Sequence, residues 1–112
     1  MLNKESPTLP SSFAALGDAN RFSIVEMLLA EGEKPAGAIC DRTSISAPAV
    51  SRHLKILTNA GLIERRVDKQ RRLYAVSPAK FGEINDWLQR HIAFWEGSLD
   101  RLQAAVEKGP LR

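Results

Sequence analysis

Residues 44–61 read SISAPAVSRHLKILTNAG, a helix that carries both its start and its stop signals. Ser46 is a good N-cap, Pro48 falls in the first turn where its missing N–H costs nothing, and Gly61 is a natural stop. Between them Val50, Leu54 and Leu57 recur at i, i+4 and i+7, the apolar stripe of a helix lying on a core. At about 100° per residue the same winding turns Pro48, Arg52, Lys55 and Asn59 to the far side, with Ser51 on one flank. That face offers short hydroxyls and two cations, and no carboxylate. It suits a DNA major groove, where Arg and Lys reach guanine edges or phosphates and small residues permit close approach. Taken alone, it is equally well explained as a solvated surface.

The flanking segments tip the balance. Upstream, Pro35 is expected to open a short helix running through Cys40 to Arg42, with Ile39 as its core anchor, and Thr43-Ser44-Ile45 makes a tight turn. Two helices joined by three or four residues, the second capped and outwardly cationic, form a helix-turn-helix. Downstream, residues 62–67 and 73–77 are β-compatible runs around Asp68-Lys69-Gln70, and they read as a hairpin. Its arms and tip carry Arg65, Arg66, Lys69, Arg71 and Arg72 against only Glu64 and Asp68. A hairpin kept soluble by charge would mix the signs, whereas this one looks like a wing reaching for the phosphate backbone or minor groove.

The whole chain is only mildly basic, at +3 over 112 residues, yet residues 44–77 alone hold seven cations against two anions. The preceding part is net negative and the following part is balanced, so the basicity is one local patch, as a nucleic-acid footprint requires. One domain is what this length supports. A single cysteine excludes an intramolecular disulfide and any multi-cysteine zinc site. No apolar run approaches the ~20 residues of a membrane span, and the N-terminus lacks a signal core, so a cytoplasmic location is expected.

Residues 1–10 are polar with two prolines and read as a flexible arm, ahead of a single domain over residues 11–112. A short first helix is expected from a cap at Ser11 or Ser12, with Phe13 and Leu16 apolar, until Gly17-Asp18 breaks it. A second runs from about Asn20 to Ala30 on Phe22, Ile24, Val25, Leu28 and Leu29; a pairing role is open to Arg21 at its start. Pro78 begins the last helix, expected over residues 79–108. Phe81, Ile84, Leu88, Ile92, Trp95, Leu99, Leu102 and Val106 follow it at steps of three and four, close to a heptad seam. About 30 residues span roughly 45 Å, more than the rest of so small a domain can cover. The surplus apolar surface calls for a second copy through this helix and the first one, at Phe13, Leu16, Leu88, Ile92, Trp95, Leu99 and Leu102. A membrane-surface helix would carry a cationic polar face; this one is charge-balanced. The expected fold is therefore mainly α with a small β-hairpin: a winged helix-turn-helix with a long C-terminal dimerisation helix.

The segment SAPAVSRHLKILTNAGLIERRVDKQRRLYAV resembles the recognition helix and wing of the ArsR/SmtB family of bacterial repressors, and HIAFWEGSLDRL is similar to the tryptophan-containing dimer helix of a non-metal subgroup. The resemblance covers about residues 13–107. It implies a homodimer bound to an inverted-repeat operator and released by a signal. The family's base-reading positions fall on Ser46, Ala47, Pro48, Ser51, Arg52 and Lys55, and its wing contacts on Arg71 and its neighbours Arg65, Lys69 and Arg72. In the founding members a Cys-x-Cys-Asp segment on the third helix senses metal. Laid on the shared AVSRHL, those cysteines fall on Pro35 and Gly37, which offer no thiolate. Cys40 is expected to be buried and inert; a redox role would require exposure, a lowered pKa and a partner across the dimer. His91 stands alone, five residues from Asp86 and from Glu96, and is expected to pack or hydrogen-bond in the dimer seam. His53 is expected to orient the recognition helix. No metal and no cofactor is expected, and an unidentified small-molecule effector is open. An enzyme is not expected, because there is no Gly-rich phosphate loop and no nucleophile–base pair. The alternative function is a winged-helix module for protein interaction or redox sensing through Cys40.

Overall fold

A computed structural model of the chain describes residues 7–108. Its elements run α1 (Leu9–Leu16), α2 (Ala19–Glu31), β1 (Lys34–Pro35), α3 (Ala36–Asp41), α4 (Ala47–Asn59), β2 (Ile63–Asp68), β3 (Arg71–Val76) and α5 (Pro78–Glu107). Two compact units result, divided between Phe81 and Gly82. The first contains the sheet and the four short helices. At its centre Ile24, Leu28, Ile39, Leu54, Leu57 and Leu62 are buried to 2% exposure or less.

The first helix starts earlier than expected. Thr8, not Ser11 or Ser12, is the N-cap: its Oγ1 accepts from the Ser11 amide at 3.2 Å, and the Ser11 hydroxyl accepts from the Thr8 amide at 3.1 Å. This reciprocal box uses Ser11 where Glu or Gln is commoner. Of the expected arm, residues 1–6 lie outside the described residues, while Leu9 and Pro10 already belong to α1. Ser12 is consequently free to turn inward. It is fully buried and donates to the Ala60 carbonyl at 3.1 Å, tying α1 to the end of α4. The break at Gly17-Asp18 falls as expected, and Asp18 caps α2 by accepting from the amides of Asn20 (2.9 Å) and Arg21 (3.0 Å).

Pro35 does more than open α3. Lys34 and Pro35 form a short edge strand paired antiparallel with β3, Lys34 opposite Tyr74 and Pro35 opposite Leu73, so the sheet has three strands in the order β1-β3-β2. Proline fits an edge strand, where no partner needs its N–H. At φ −73° and ψ 155° it also serves as the N-cap of α3. The β2–β3 register closes at Asp68 opposite Arg71, which leaves Lys69 and Gln70 as a two-residue loop. Lys69 sits at φ 61°. Positive φ suits the twist of a tight hairpin, and in a residue other than Gly it costs about 1 kcal/mol.

The stop after α4 is the one its sequence announces. Gly61, at φ 80°, lies just beyond the Ala60 cap, and any added Cβ would also press on Lys80 and Pro7. Ser77 caps α5 through the Lys80 amide at 3.2 Å. In the second unit, His91 bonds within its own helix: its Nδ1 donates to the Trp87 carbonyl at 2.7 Å, and the two rings stack with centroids 4.4 Å apart. Among the described residues no helix is long and apolar enough to cross a membrane.

Glu31 ends α2, where the helix dipole disfavours an anion. Two cations compensate it, Arg42 at 2.6 Å and Lys34 at 3.0 Å, so the end of α2 is tied to β1 and to the turn after α3. The hydrogen bond from Arg42, then that from Lys34, lowers the Glu31 carboxyl from 4.5 to about 2. A depressed carboxyl contributes stability that is fully present above pH 4.5 and is lost as pH falls toward 2. All three groups are solvated, so the contribution is small. In a carboxyl-carbon NMR titration Glu31 should titrate near 2, and Arg42→Ala should move its midpoint up toward 4.5. A midpoint that stays put in the variant removes Arg42 as the cause.

Candidate nucleic-acid interface

The exposed side of α4 and one face of the hairpin border a common cleft of about 420 Å³. Strand alternation decides which wing residues reach it. Arg65 lies opposite Tyr74 and Val67 opposite Arg72, so Arg65, Arg72 and Tyr74 share one face of the sheet. Across from them α4 contributes Ser51, Arg52, Lys55, Thr58 and Asn59, at steps that return to one helix face. Four cations therefore converge: Arg52, Lys55, Arg65 and Arg72. Among the described residues none of the four is paired with a carboxylate. Like charges gathered without counter-charges make a strongly positive groove, the complement of a phosphate backbone.

The remaining wing cations are differently placed. Arg66 points to the opposite face and holds Glu33 with two parallel bonds of 2.8 Å, from Nε and Nη2. This fork pushes the Arg66 pKa up and the Glu33 pKa down. Arg71 sits 3.8 Å from Asp68 in a loose exposed pair, and Lys69 is exposed at the tip. What the sequence presents as a five-cation hairpin is sorted by the fold into two residues in the cleft, one at the tip, one in a loose pair, and one committed to Glu33.

The first turn of α4 carries the other expected contact residues. Ser46, Ala47 and Pro48 are exposed there, with the Ser46 hydroxyl accepting from the Ala49 amide at 3.3 Å as the helix cap. They do not line the cleft, whereas Ser51, Arg52 and Lys55 do. Thr58, Asn59 and Tyr74 join the cleft although the sequence reading did not assign them. Asn59 already lay on the outward helical face, and Thr58 and Tyr74 required the register between helix and hairpin. Cys40 is half-buried rather than buried. In a helix of six residues, Ile39 takes the core position and leaves its neighbour partly outside. Of the residues expected at a subunit interface, Phe13 is 39% exposed and Leu16 half-buried in the first unit. Leu88, Ile92, Trp95, Leu99 and Leu102 in the second are 39–63% exposed.

A helix-turn-helix domain model matches residues 16–66, from the end of α1 into β2. The HTH-type transcriptional regulator Rv2034 of Mycobacterium tuberculosis is 36% identical over 79% of this chain and 78% of its own. The ArsR-like transcriptional regulator from Rhodococcus sp. RHA1 superposes with a TM-score of 0.70 at 28% identity, over 88% of this chain and 92% of that one. The homodimeric winged helix-turn-helix DNA-binding domain Mb0332 of Mycobacterium bovis superposes with a TM-score of 0.62 at 25% identity, over 76% and 78%. The class is thus a DNA-binding transcriptional regulator of winged helix-turn-helix fold, and not an enzyme. Within it, the chain belongs to the ArsR family of HTH-type regulators.

The sorting of the wing cations has a measurable consequence. In a salt titration of duplex DNA binding, Arg65→Ala and Arg72→Ala should each reduce the slope of log K against log salt by about one. Arg66→Ala should leave the slope in place and register as a small loss of thermal stability. A slope change for Arg66→Ala as large as that for Arg72→Ala overturns the sorting.

Proposed function

We propose that this regulator is a homodimeric repressor of an inverted-repeat operator. Each protomer would lay α4 in a major groove, with Ser46, Ala47, Pro48, Ser51, Arg52 and Lys55 facing base edges. Arg65, Lys69, Arg71 and Arg72 of the wing would hold the adjoining backbone or minor groove. The observation that carries the reading is the cleft in which Arg52, Lys55, Arg65 and Arg72 meet, without a carboxylate partner among the described residues. Phosphate contacts supply most of the affinity in such a system, and contacts to base edges supply sequence choice. The dimer rests on the row of exposed apolar side chains from Leu88 to Leu102, which water disfavours, and on the homodimeric state of the Mb0332 domain. Two-fold symmetry would then place the half-sites about 34–36 Å apart, one turn of the duplex.

A binding selection on genomic fragments, run at two salt concentrations and read by sequencing, tests the reading directly. A near-palindromic motif that survives the higher salt is expected. Binding that is indifferent to sequence and disappears with salt counts against it. Arg52→Ala with Lys55→Ala should abolish preference for the motif while the protein stays dimeric, and an unchanged footprint rules out α4 as the reading helix. Leu99→Glu should give monomers that bind the motif at least about tenfold more weakly, since the two half-sites no longer bind as one unit. A folded dimer of full affinity removes Leu99 from the interface.

A further inference from the structure

Apolar burial of Val50, Leu54 and Leu57 holds α4 in place, but such burial has no direction and changes little when a helix rolls by about 10°. A roll of that size moves a side-chain tip ~6 Å from the helix axis by about 1 Å. Recognition groups need placement to about 0.5 Å. Directional contacts fix the azimuth of α4 more finely than interlocking apolar side chains do.

The described residues supply two. At the C-terminal end, the Ser12 hydroxyl donates to the Ala60 carbonyl. At mid-helix the contact is made by His53, which follows Arg52 directly and faces α2. Nη1 of Arg21 lies 3.3 Å from His53 Nδ1, and because a guanidinium only donates, Nδ1 is the acceptor. The same guanidinium donates through Nε to the Ala15 carbonyl at 2.7 Å, one of the last carbonyls of α1, which lack partners within that helix. Asp18 holds the Arg21 backbone amide at 3.0 Å, and its Oδ2 is 3.9 Å from His53 Nδ1. Bonding to that amide holds the Asp18 carboxyl below its usual range, with the charge of Arg21 acting in the same direction against desolvation. One arginine side chain thus ties the end of α1, the start of α2 and the middle of α4.

We infer that Arg21 is a positioning residue for base recognition: through His53 it sets the rotation of α4, and with it the direction of Ser51, Arg52 and Lys55. The inference rests on the reading of α4 as the groove helix. Its signature is a loss of specificity rather than of affinity. Long cations adjust to a phosphate displaced by about 1 Å, whereas hydrogen bonds to base edges do not.

The test uses the full chain with Arg21→Met, His53→Leu and His53→Gln, the last keeping an amide oxygen that can accept from Arg21. Affinity is measured at one salt concentration for the selected motif and for a scrambled duplex. Amide hydrogen exchange is measured on the free protein. Arg21→Met and His53→Leu should lower the motif-to-scrambled ratio by about tenfold or more, with scrambled binding within about twofold of wild type, as a misplacement near 1 Å implies. His53→Gln should retain most of the ratio. Faster exchange confined to α4 is expected for His53→Leu. A ratio unchanged in both disruptive variants, or one that falls in step with scrambled binding, overturns the inference. If Arg21→Met fails to fold, the His53 pair decides alone. If the wild-type chain prefers no sequence, the operator reading fails, and exchange then decides: selective loosening of α4 in His53→Leu supports the positioning role, and unaltered exchange refutes it.

Discussion

The burial of one helical stripe carries the rest of the first unit. Val50, Leu54 and Leu57 are each 2% exposed or less, and α4 packs through them against α1, α2, α3 and β2. Each such side chain contributes about 1.5–3 kcal/mol relative to solvent exposure, a gross gain that the entropy of ordering the chain largely offsets. The opposite side of the same helix is thereby committed to solvent. The outward surface with two cations and hydroxyls is the other half of a single amphipathic pattern, and core and cleft wall are specified by the same thirteen residues.

Around that helix the polar contacts do a different kind of work. Ser12 and Arg21 add little by way of net stability, since an exchanged hydrogen bond is worth only about 1 kcal/mol. They are directional, however, and they bind carbonyls and a ring nitrogen that apolar packing cannot address. The Glu31 triad and the Arg66–Glu33 fork act likewise at the edge of the sheet, where β1 is too short to be held by its ladder alone. Both ion pairs consume charge that the sequence displays as available. For Arg66 the consequence is that its guanidinium, held in a fork by carboxylate oxygens, has little left to offer another anion.

Much of this was legible in residue order. The cap at Ser46, the stop at Gly61, the stripe of α4, a hairpin around Asp68-Lys69-Gln70 and the long terminal helix all follow from periodicity and punctuation, and they are strong because each is signalled by several residues at once; pairing of Asp68 with Arg71 narrows the loop to Lys69-Gln70. The readings that needed correction were signalled by one or two. Thr8 and Ser11 cap each other in a box without Glu or Gln, so the start of α1 looked like loop. Lys34–Pro35 is too short for any alternation, and its pairing partner lies almost forty residues away. Cys40 falls where the resembled family has a small apolar residue and so reads as buried, yet in so short a helix the one anchor, Ile39, leaves the next side chain half outside.

The sequence by itself determined the order of the elements, the amphipathic division of α4, the clustering of positive charge into residues 44–77 and the apolar row along the last helix, since all of these are properties of neighbours along the chain. Only the tertiary structure decided which cations meet and which are neutralised. Arg65 and Arg66 are adjacent and chemically identical. Strand alternation sends one into the cleft beside Arg52 and Lys55 and the other to Glu33. The same holds for Arg21, whose guanidinium gains its role from a carbonyl six residues back and an imidazole thirty-two residues ahead. Periodicity fixes the face on which a side chain lies, and partners distant in sequence fix what it can do there.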